Sequence, residues 1–197
     1  MSELRTFVEL GFRHIANPEA LDHILFLCAL AAIYRPADWR RALWVISAFT
    51  VGHSITLALA VTGLLALPTP LIEFLIPVTI VATCVENLIV QGRARAPWGG
   101  GGYRPMLAGV FGLVHGAGFA NYLHSLFVTP IAVPLFGFNV GIELGQLTVL
   151  ALVAMALALM DRLLTSVWSN PLRVRVVAVS TIVLVVAAHW AVERAPW

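Results

Sequence analysis

Long apolar stretches separated by short polar breaks dominate this chain. Six of them resemble helices that could cross a bilayer whose apolar core is about 30 Å thick. We predict transmembrane helices at residues 18–34, 42–66, 70–90, 105–127, 134–160 and 172–192. The first is short, and we place its start at Asn17-Pro18-Glu19, which combines an N-cap residue, a proline for the first helical position and an acid for the first turn.

The first sixteen residues follow a different pattern. Between residues 2 and 15, apolar side chains fall on one helical face and charged side chains on the opposite face. This predicts an amphipathic helix at 1–16 that lies in the membrane interface or folds over the bundle. The predicted fold class is therefore all-α: a polytopic membrane helix bundle of about six transmembrane helices at 17–197, plus the N-terminal interfacial helix.

The composition fits a membrane protein. Of the 197 residues, 60% are hydrophobic and 11% are charged, and the mean hydropathy is +0.91. A soluble domain has about 25% charged residues. The lipid bilayer is thus an expected partner, whereas no basic patch indicates nucleic acid, and a homo-oligomeric state stays open. Cys28 and Cys84 lie in apolar stretches without metal-type spacing, so we expect them to be small core residues.

The arginines predict an orientation. All 12 basic residues are arginines, and nine of them fall on one side of the six-helix topology and three on the other. Cytoplasmic loops carry the excess of positive charge. We therefore predict a multi-pass protein of the bacterial inner (cytoplasmic) membrane whose N-terminus and C-terminus both lie outside.

Ionisable residues in or beside the predicted spans are the main functional signal. Each costs about 2.5–3.5 kcal/mol at membrane depth, so such residues tend to be paired and to face the bundle interior. The candidates are His14, Asp22, His23, His53, His115 and Glu143. At the rise of an α-helix, His53, His115 and Glu143 lie roughly 15 Å below the outer ends of their helices.

Imidazole and carboxylate groups together are suitable ligands for a divalent transition metal. We predict a buried site for Ni²⁺, Co²⁺ or Zn²⁺ that opens to the outer face. Further polar residues are expected around the site or along a path from it: Thr50, Glu86, Asn139 and Gln146. Glu86, nearer the cytoplasm, would be an exit ligand or a proton carrier. The structural alternative is that these groups only form hydrogen bonds between helices.

Small residues indicate where helices approach closely. Gly112 and Gly116 flank His115, and Gly137, Gly141 and Gly145 form two overlapping GxxxG steps. Such rows let helix backbones pack against each other in a membrane. We expect the site to lie within tight contacts between the fourth and fifth predicted spans.

Several of these blocks resemble the HupE/UreJ family, in its second, less characterised branch. The blocks run from Gly11 to His14 and on through 22–27, 49–58, 86–88, 111–120 and 138–146. Members of the wider family accompany the nickel enzymes hydrogenase and urease and are regarded as nickel or cobalt permeases. The resemblance implies metal-handling roles for His14, Asp22, His23 and His115.

Two motifs differ from those of the nickel permeases. Seven residues separate His14 from Asp22-His23, a longer gap than in the permeases' first motif. Gly112 and Phe119 stand near the places where the permeases' second motif has a histidine and a glutamate. Neither residue can bind a metal ion.

The leading interpretation is an integral membrane permease for a transition metal ion such as Ni²⁺ or Co²⁺. An entry site and a deeper site would follow each other along the path: His14, Asp22 and His23, then His53, His115 and Glu143.

The main alternative is an intramembrane zinc hydrolase. His23, His53 and His115 would hold the metal ion, and Glu143 or Asp22 would be the catalytic base that activates bound water. A third interpretation is a sensor or assembly factor that holds a metal ion without moving it.

Overall fold

The structure, a computed structural model, describes residues 3–90, 102–126 and 131–196, with backbone alone at 120–126. The described residues are helical, which confirms the all-α class. The α-helices are α1 Glu3–Ala16, α2 Leu21–Ala31, α3 Trp39–Val61, α4 Thr69–Val90, α5 Tyr103–Leu126, α6 Ala132–Thr165 and α7 Pro171–Glu193. A short 3₁₀ helix, Pro36–Asp38, leads into α3.

Four helical segments of the described residues are long and apolar enough to cross a membrane. They are the 3₁₀ helix with α3, then α4, α6 and α7. The apolar helix α2 has only 11 residues, and α5 is not among the four. The helical membrane class is therefore supported, whereas the number of six spans stays a prediction.

The end of α3 differs from the predicted position. The helix stops at Val61 instead of residue 66 because Gly63 has a φ of +74°, a left-handed conformation that ends the helix. The N–H of Gly63 donates to the carbonyl of Ala60, and the N–H of Leu64 donates to that of Leu59. These two bonds form a Schellman motif, which glycine at this position favours.

The start of α2 also differs from the prediction. The helix begins at Leu21 and not at Pro18. The side-chain oxygen of Asn17 accepts a bond from the N–H of Glu19, so the predicted cap residue forms a local turn before the helix starts. This turn separates α1 from α2.

α1 packs lengthwise against the first half of α6. A Cβ atom on Gly141 would lie 2.1 Å from the carbonyl oxygen of Val8, and one on Gly137 would lie 3.0 Å from that of Leu4. Only glycine allows such a close approach of two backbones. Because the contact positions rise together along both helices, α1 and α6 run parallel.

α3 and α5 form a second glycine-packed pair. A Cβ on Gly112 would lie 2.1 Å from the carbonyl oxygen of Phe49, and one on Gly116 would lie 2.3 Å from that of His53. These helices also run parallel. The glycine rows of α5 and α6 therefore pack against α3 and α1, and the expectation that these rows form tight contacts between the fourth and fifth predicted spans was wrong.

Apolar side chains fill the space between the helices. Phe26, Phe49 and Ile80 are buried in one cluster together with Cys84. Cys84 is buried and Cys28 is partly buried, and both are free thiols. The prediction of a small core residue is confirmed for Cys84, whereas Cys28 lies at the edge of the cluster.

Candidate metal centre

Three histidines from three helices meet in the interior. The side chains are His14 near the end of α1, His23 near the start of α2 and His53 in α3, and one ring nitrogen of each lies within 4.8 Å of those of the other two. The ring centroids of His14 and His23 are 4.7 Å apart, and those of His14 and His53 are 6.0 Å apart. We call these residues the histidine cluster.

The glycine contacts of α1 explain how His14 reaches this place. A Cβ on Gly11 would lie 2.1 Å from the carbonyl oxygen of Phe138, so α1 can approach α6 only with glycine here. His14 follows one helical turn after Gly11. Its ring packs against the ring of Phe119 at 3.9 Å between centroids, so α5 contributes an aromatic side chain beside His14.

Several nitrogen atoms of the cluster lack hydrogen-bond partners. Within the described residues, the buried atoms without a partner include Nε2 of His14, Nε2 of His23 and both ring nitrogens of His53. Burying polar atoms without a bond costs free energy, so such groups call for a functional explanation. A neutral imidazole offers one lone pair, and three of them together suit a borderline ion such as Ni²⁺, Co²⁺ or Zn²⁺.

His115 lies next to the cluster. Its ring centroid is 5.4 Å from that of His23, and its side chain is buried at 1% exposure. Its Nε2 lies 3.0 Å from the hydroxyl oxygen of Thr79, whereas its Nδ1 has no partner in the described residues. The ring nitrogens of His115 do not belong to the group of close ligand atoms found among the described residues, so its ligand role stays a prediction.

The two carboxylates predicted beside the histidines have other contacts. Arg194, just after α7, donates to both carboxylate oxygens of Asp22 at 3.3 and 3.4 Å. Glu143 accepts a bond from the Ser47 hydroxyl at 3.4 Å. Neither carboxylate belongs to the group of close ligand atoms found among the described residues, so their predicted ligand roles rest on the sequence alone.

The predicted surrounding residues connect α3 to α6. Thr50 donates to the side-chain oxygen of Gln146 at 2.8 Å, and Ser54 donates to that of Asn139 at 2.9 Å. With the contact between Ser47 and Glu143, these bonds form a polar seam between the two glycine-packed pairs. His53 lies on α3 between Thr50 and Ser54.

Glu86 has a partly buried, positively charged partner. Its carboxylate forms an ion pair with Arg104 and accepts a hydrogen bond from Tyr103. Arg104 also donates to the side-chain oxygen of Asn87 at 2.7 Å, and its guanidinium lies over the ring of Tyr34. These bonds hold Glu86 in a network near the C-terminal end of α4.

Arg175 is buried in the same half of the bundle. Its side chain is 1% exposed, forms an ion pair with Asp161 and donates to the carbonyls of Ala32 and Tyr34 at 3.1 and 2.7 Å. Arg104 and Arg175 both contributed to the charge bias that predicts the orientation. Both have structural partners inside the bundle, so the sides of the termini stay predictions.

Sequence reasoning missed the partners of the predicted site residues. Thr79, Ser47 and Arg194 contact His115, Glu143 and Asp22. Thr79 carried a signal, because it belongs to a polar stripe on α4 together with Thr83, Glu86 and Asn87. Arg194 carried none, since it follows Asp22 by 172 residues and comes from the far end of the chain.

The chain belongs to the HupE/UreJ family. The sequence matches the HupE/UreJ protein family over residues 1–194, which confirms the resemblance found in its motifs. No curated protein and no solved structure gives a significant match. The family and the four long apolar helices together indicate a membrane protein.

Proposed function

We propose that this HupE/UreJ protein is a membrane permease for a divalent transition metal ion of the Ni²⁺ or Co²⁺ type. His14, His23 and His53 would bind the ion, and His115 would become a further ligand as the ion moves. The ion is the substrate of the protein and not a resident cofactor. The observation that carries this proposal is the convergence of three ring nitrogens within 4.8 Å, with buried nitrogens that have no partner.

The chemistry of the cluster suits reversible binding. Its three ligands are neutral imidazoles, and the carboxylates of Asp22 and Glu143 have contacts elsewhere. An anionic ligand adds a strong attraction for a dication in a medium of low dielectric constant. A cluster of imidazoles alone lacks this added attraction, so it would release the ion more easily than the same cluster with a carboxylate ligand, and transport requires release.

The placement of the ligands also suits movement. His14 belongs to the pair of α1 and α6, whereas His53 belongs to the pair of α3 and α5. The backbone contacts within each pair leave little freedom, while the contacts across the polar seam come from side chains. We propose that one pair shifts against the other, so that the cluster opens and closes around the ion.

The contacts give the hydrolase alternative no support. A zinc hydrolase commonly uses a carboxylate as the base that activates the metal-bound water. Asp22 is paired with Arg194 and Glu143 is bonded to Ser47. A sensor or assembly factor would use the same histidines, and only a transport assay separates it from a permease.

The test combines binding and transport. Alanine would replace His14, His23 or His53, and the matched control is His189→Ala, because His189 is exposed and pairs with Glu193. Ni²⁺ binding to the purified proteins would be measured by calorimetry, and ⁶³Ni²⁺ uptake would be measured in proteoliposomes.

We expect the three cluster variants to lose binding and uptake, and the control to keep both. Binding without uptake in the wild type would favour a sensor, and stoichiometric zinc that does not exchange would favour an enzyme. Wild-type protein that binds no Ni²⁺, Co²⁺ or Zn²⁺ would refute the proposal.

A further inference from the structure

The hydroxyl group of Thr79, on α4, contacts both His115 and the backbone of its own helix. The Thr79 hydroxyl oxygen lies 2.7 Å from the carbonyl oxygen of Ile76 and 3.0 Å from Nε2 of His115. Thr79 and His115 are buried at 5% and 1% exposure. Besides the ring of His23, the ring of His115 lies beside the rings of Phe26 and Phe49, at 5.0 and 5.2 Å between centroids.

Proton counting assigns the roles in this contact. A threonine hydroxyl has one proton, and a neutral imidazole has one N–H and one bare nitrogen. If the Thr79 hydroxyl donates to Ile76, its oxygen accepts from an N–H at Nε2 of His115, and two hydrogen bonds form. If the hydroxyl donated to Nε2 instead, the bond to Ile76 would be lost and the N–H at Nδ1 would be buried without a partner.

We infer that Thr79 is a positioning residue that holds His115 in its Nε2–H tautomer, so that Nδ1 is the nitrogen available to the transported ion. The role of Nδ1 as a ligand rests on the proposed function. The tautomer does not, because it follows from the hydrogen bonds alone. A histidine ligand commonly donates its second ring N–H to an oxygen, which fixes the tautomer and the ring orientation. Here the oxygen comes from α4, which contributes no member of the histidine cluster.

The first test needs no metal ion. Protein labelled with ¹⁵N-histidine would be purified in detergent without metal, and long-range ¹H–¹⁵N correlation spectra would report which ring nitrogen carries the proton. The His115 signals would be assigned by their loss in His115→Gln. We expect the Nε2–H tautomer in the wild type. An Nδ1–H tautomer of His115 in the wild type would overturn the inference, whatever the effect of substitutions at Thr79.

The second test uses Thr79→Val, which keeps the shape of the side chain and removes the hydroxyl. The matched control is Thr83→Val, because Thr83 is equally buried on α4 and donates only to the carbonyl of Thr79. We expect Thr79→Val to mix the two tautomers and to weaken Ni²⁺ binding by about 10- to 100-fold, as for the loss of other partners of metal ligands. Thr79→Ser should restore both.

The outcomes separate the two proposals. An unchanged tautomer in Thr79→Val, or equal Ni²⁺ affinities in Thr79→Val and Thr83→Val, would refute the positioning role. Wild-type protein that shows the Nε2–H tautomer but binds no Ni²⁺, Co²⁺ or Zn²⁺ would leave the geometry of Thr79 and His115 intact and would refute the permease.

Discussion

Alanine at Gly112 should force α3 and α5 apart. The added Cβ would lie 2.1 Å from the carbonyl oxygen of Phe49 and 3.0 Å from the backbone nitrogen of His53. Ordinary contact starts at about 3.4 Å, so the helices would have to separate locally by about 1.3 Å. Both clashing atoms belong to a backbone, and no side-chain rotation relieves them.

The energy follows from two opposing effects. Overpacking a tight interface costs about 1–3 kcal/mol, and a clash between backbones belongs at the upper end of that range. Replacing glycine with alanine inside a helix gains about 1 kcal/mol. For Gly112→Ala we therefore expect a net loss of about 2 kcal/mol. Gly109→Ala is the matched control, because its Cβ would meet only the Ala48 carbonyl oxygen at 3.5 Å and should keep the gain.

Thermal unfolding in detergent can be followed with a thiol-reactive fluorescent dye, since Cys84 is buried in the folded protein. We expect Gly112→Ala to melt below the wild type and Gly109→Ala to melt at or above it. Gly112→Ala should also bind Ni²⁺ more weakly, because His53 and His115 lie on the two separated helices. If Gly112→Ala has the same melting temperature as Gly109→Ala and keeps the wild-type affinity for Ni²⁺, the close packing of α3 and α5 is refuted.

Two further predictions concern the rest of the bundle. Glu86→Gln should destabilise the protein by up to about 3 kcal/mol, because it leaves a partly buried arginine without its counter-charge; a melting temperature equal to that of the wild type would contradict this. Linking Ser54→Cys to Asn139→Cys with a short, reducible thiol crosslinker, in a chain without the native cysteines, should block Ni²⁺ uptake until reductant is added. A crosslink within one pair, from Ala48→Cys to Gly109→Cys, should leave Ni²⁺ uptake unchanged. Equal uptake by the two crosslinked proteins would argue against movement across the seam.

Much of the histidine site could be predicted from the sequence. Imidazoles in apolar helices are costly, and the helical rise places His53 and His115 at about one depth. These two arguments need only the chain itself. The structure brings His53 into the cluster and places His115 beside it.

The contacts of the carboxylates could not be predicted in this way. Depth along a helix does not say which way a side chain faces, and Glu143 meets Ser47 instead of the histidines. Glu86 was predicted to be an exit ligand or proton carrier. Its pairing with Arg104 depends on how α4 and α5 pack, which periodicity within one helix does not reveal.

The glycine rows show why only part of the histidine site could be predicted from the sequence. A row of small residues marks the face of a helix that another backbone approaches, but the row does not name its partner. Here α6 receives α1 and α5 receives α3, so His14 and His53 come from different pairs. An ion bound by both would therefore connect two units that glycine contacts make internally stiff. Any movement that pulls His14 from His53 would release the ion without distorting either pair, and this explains why ligands from separate pairs suit a permease better than ligands from one.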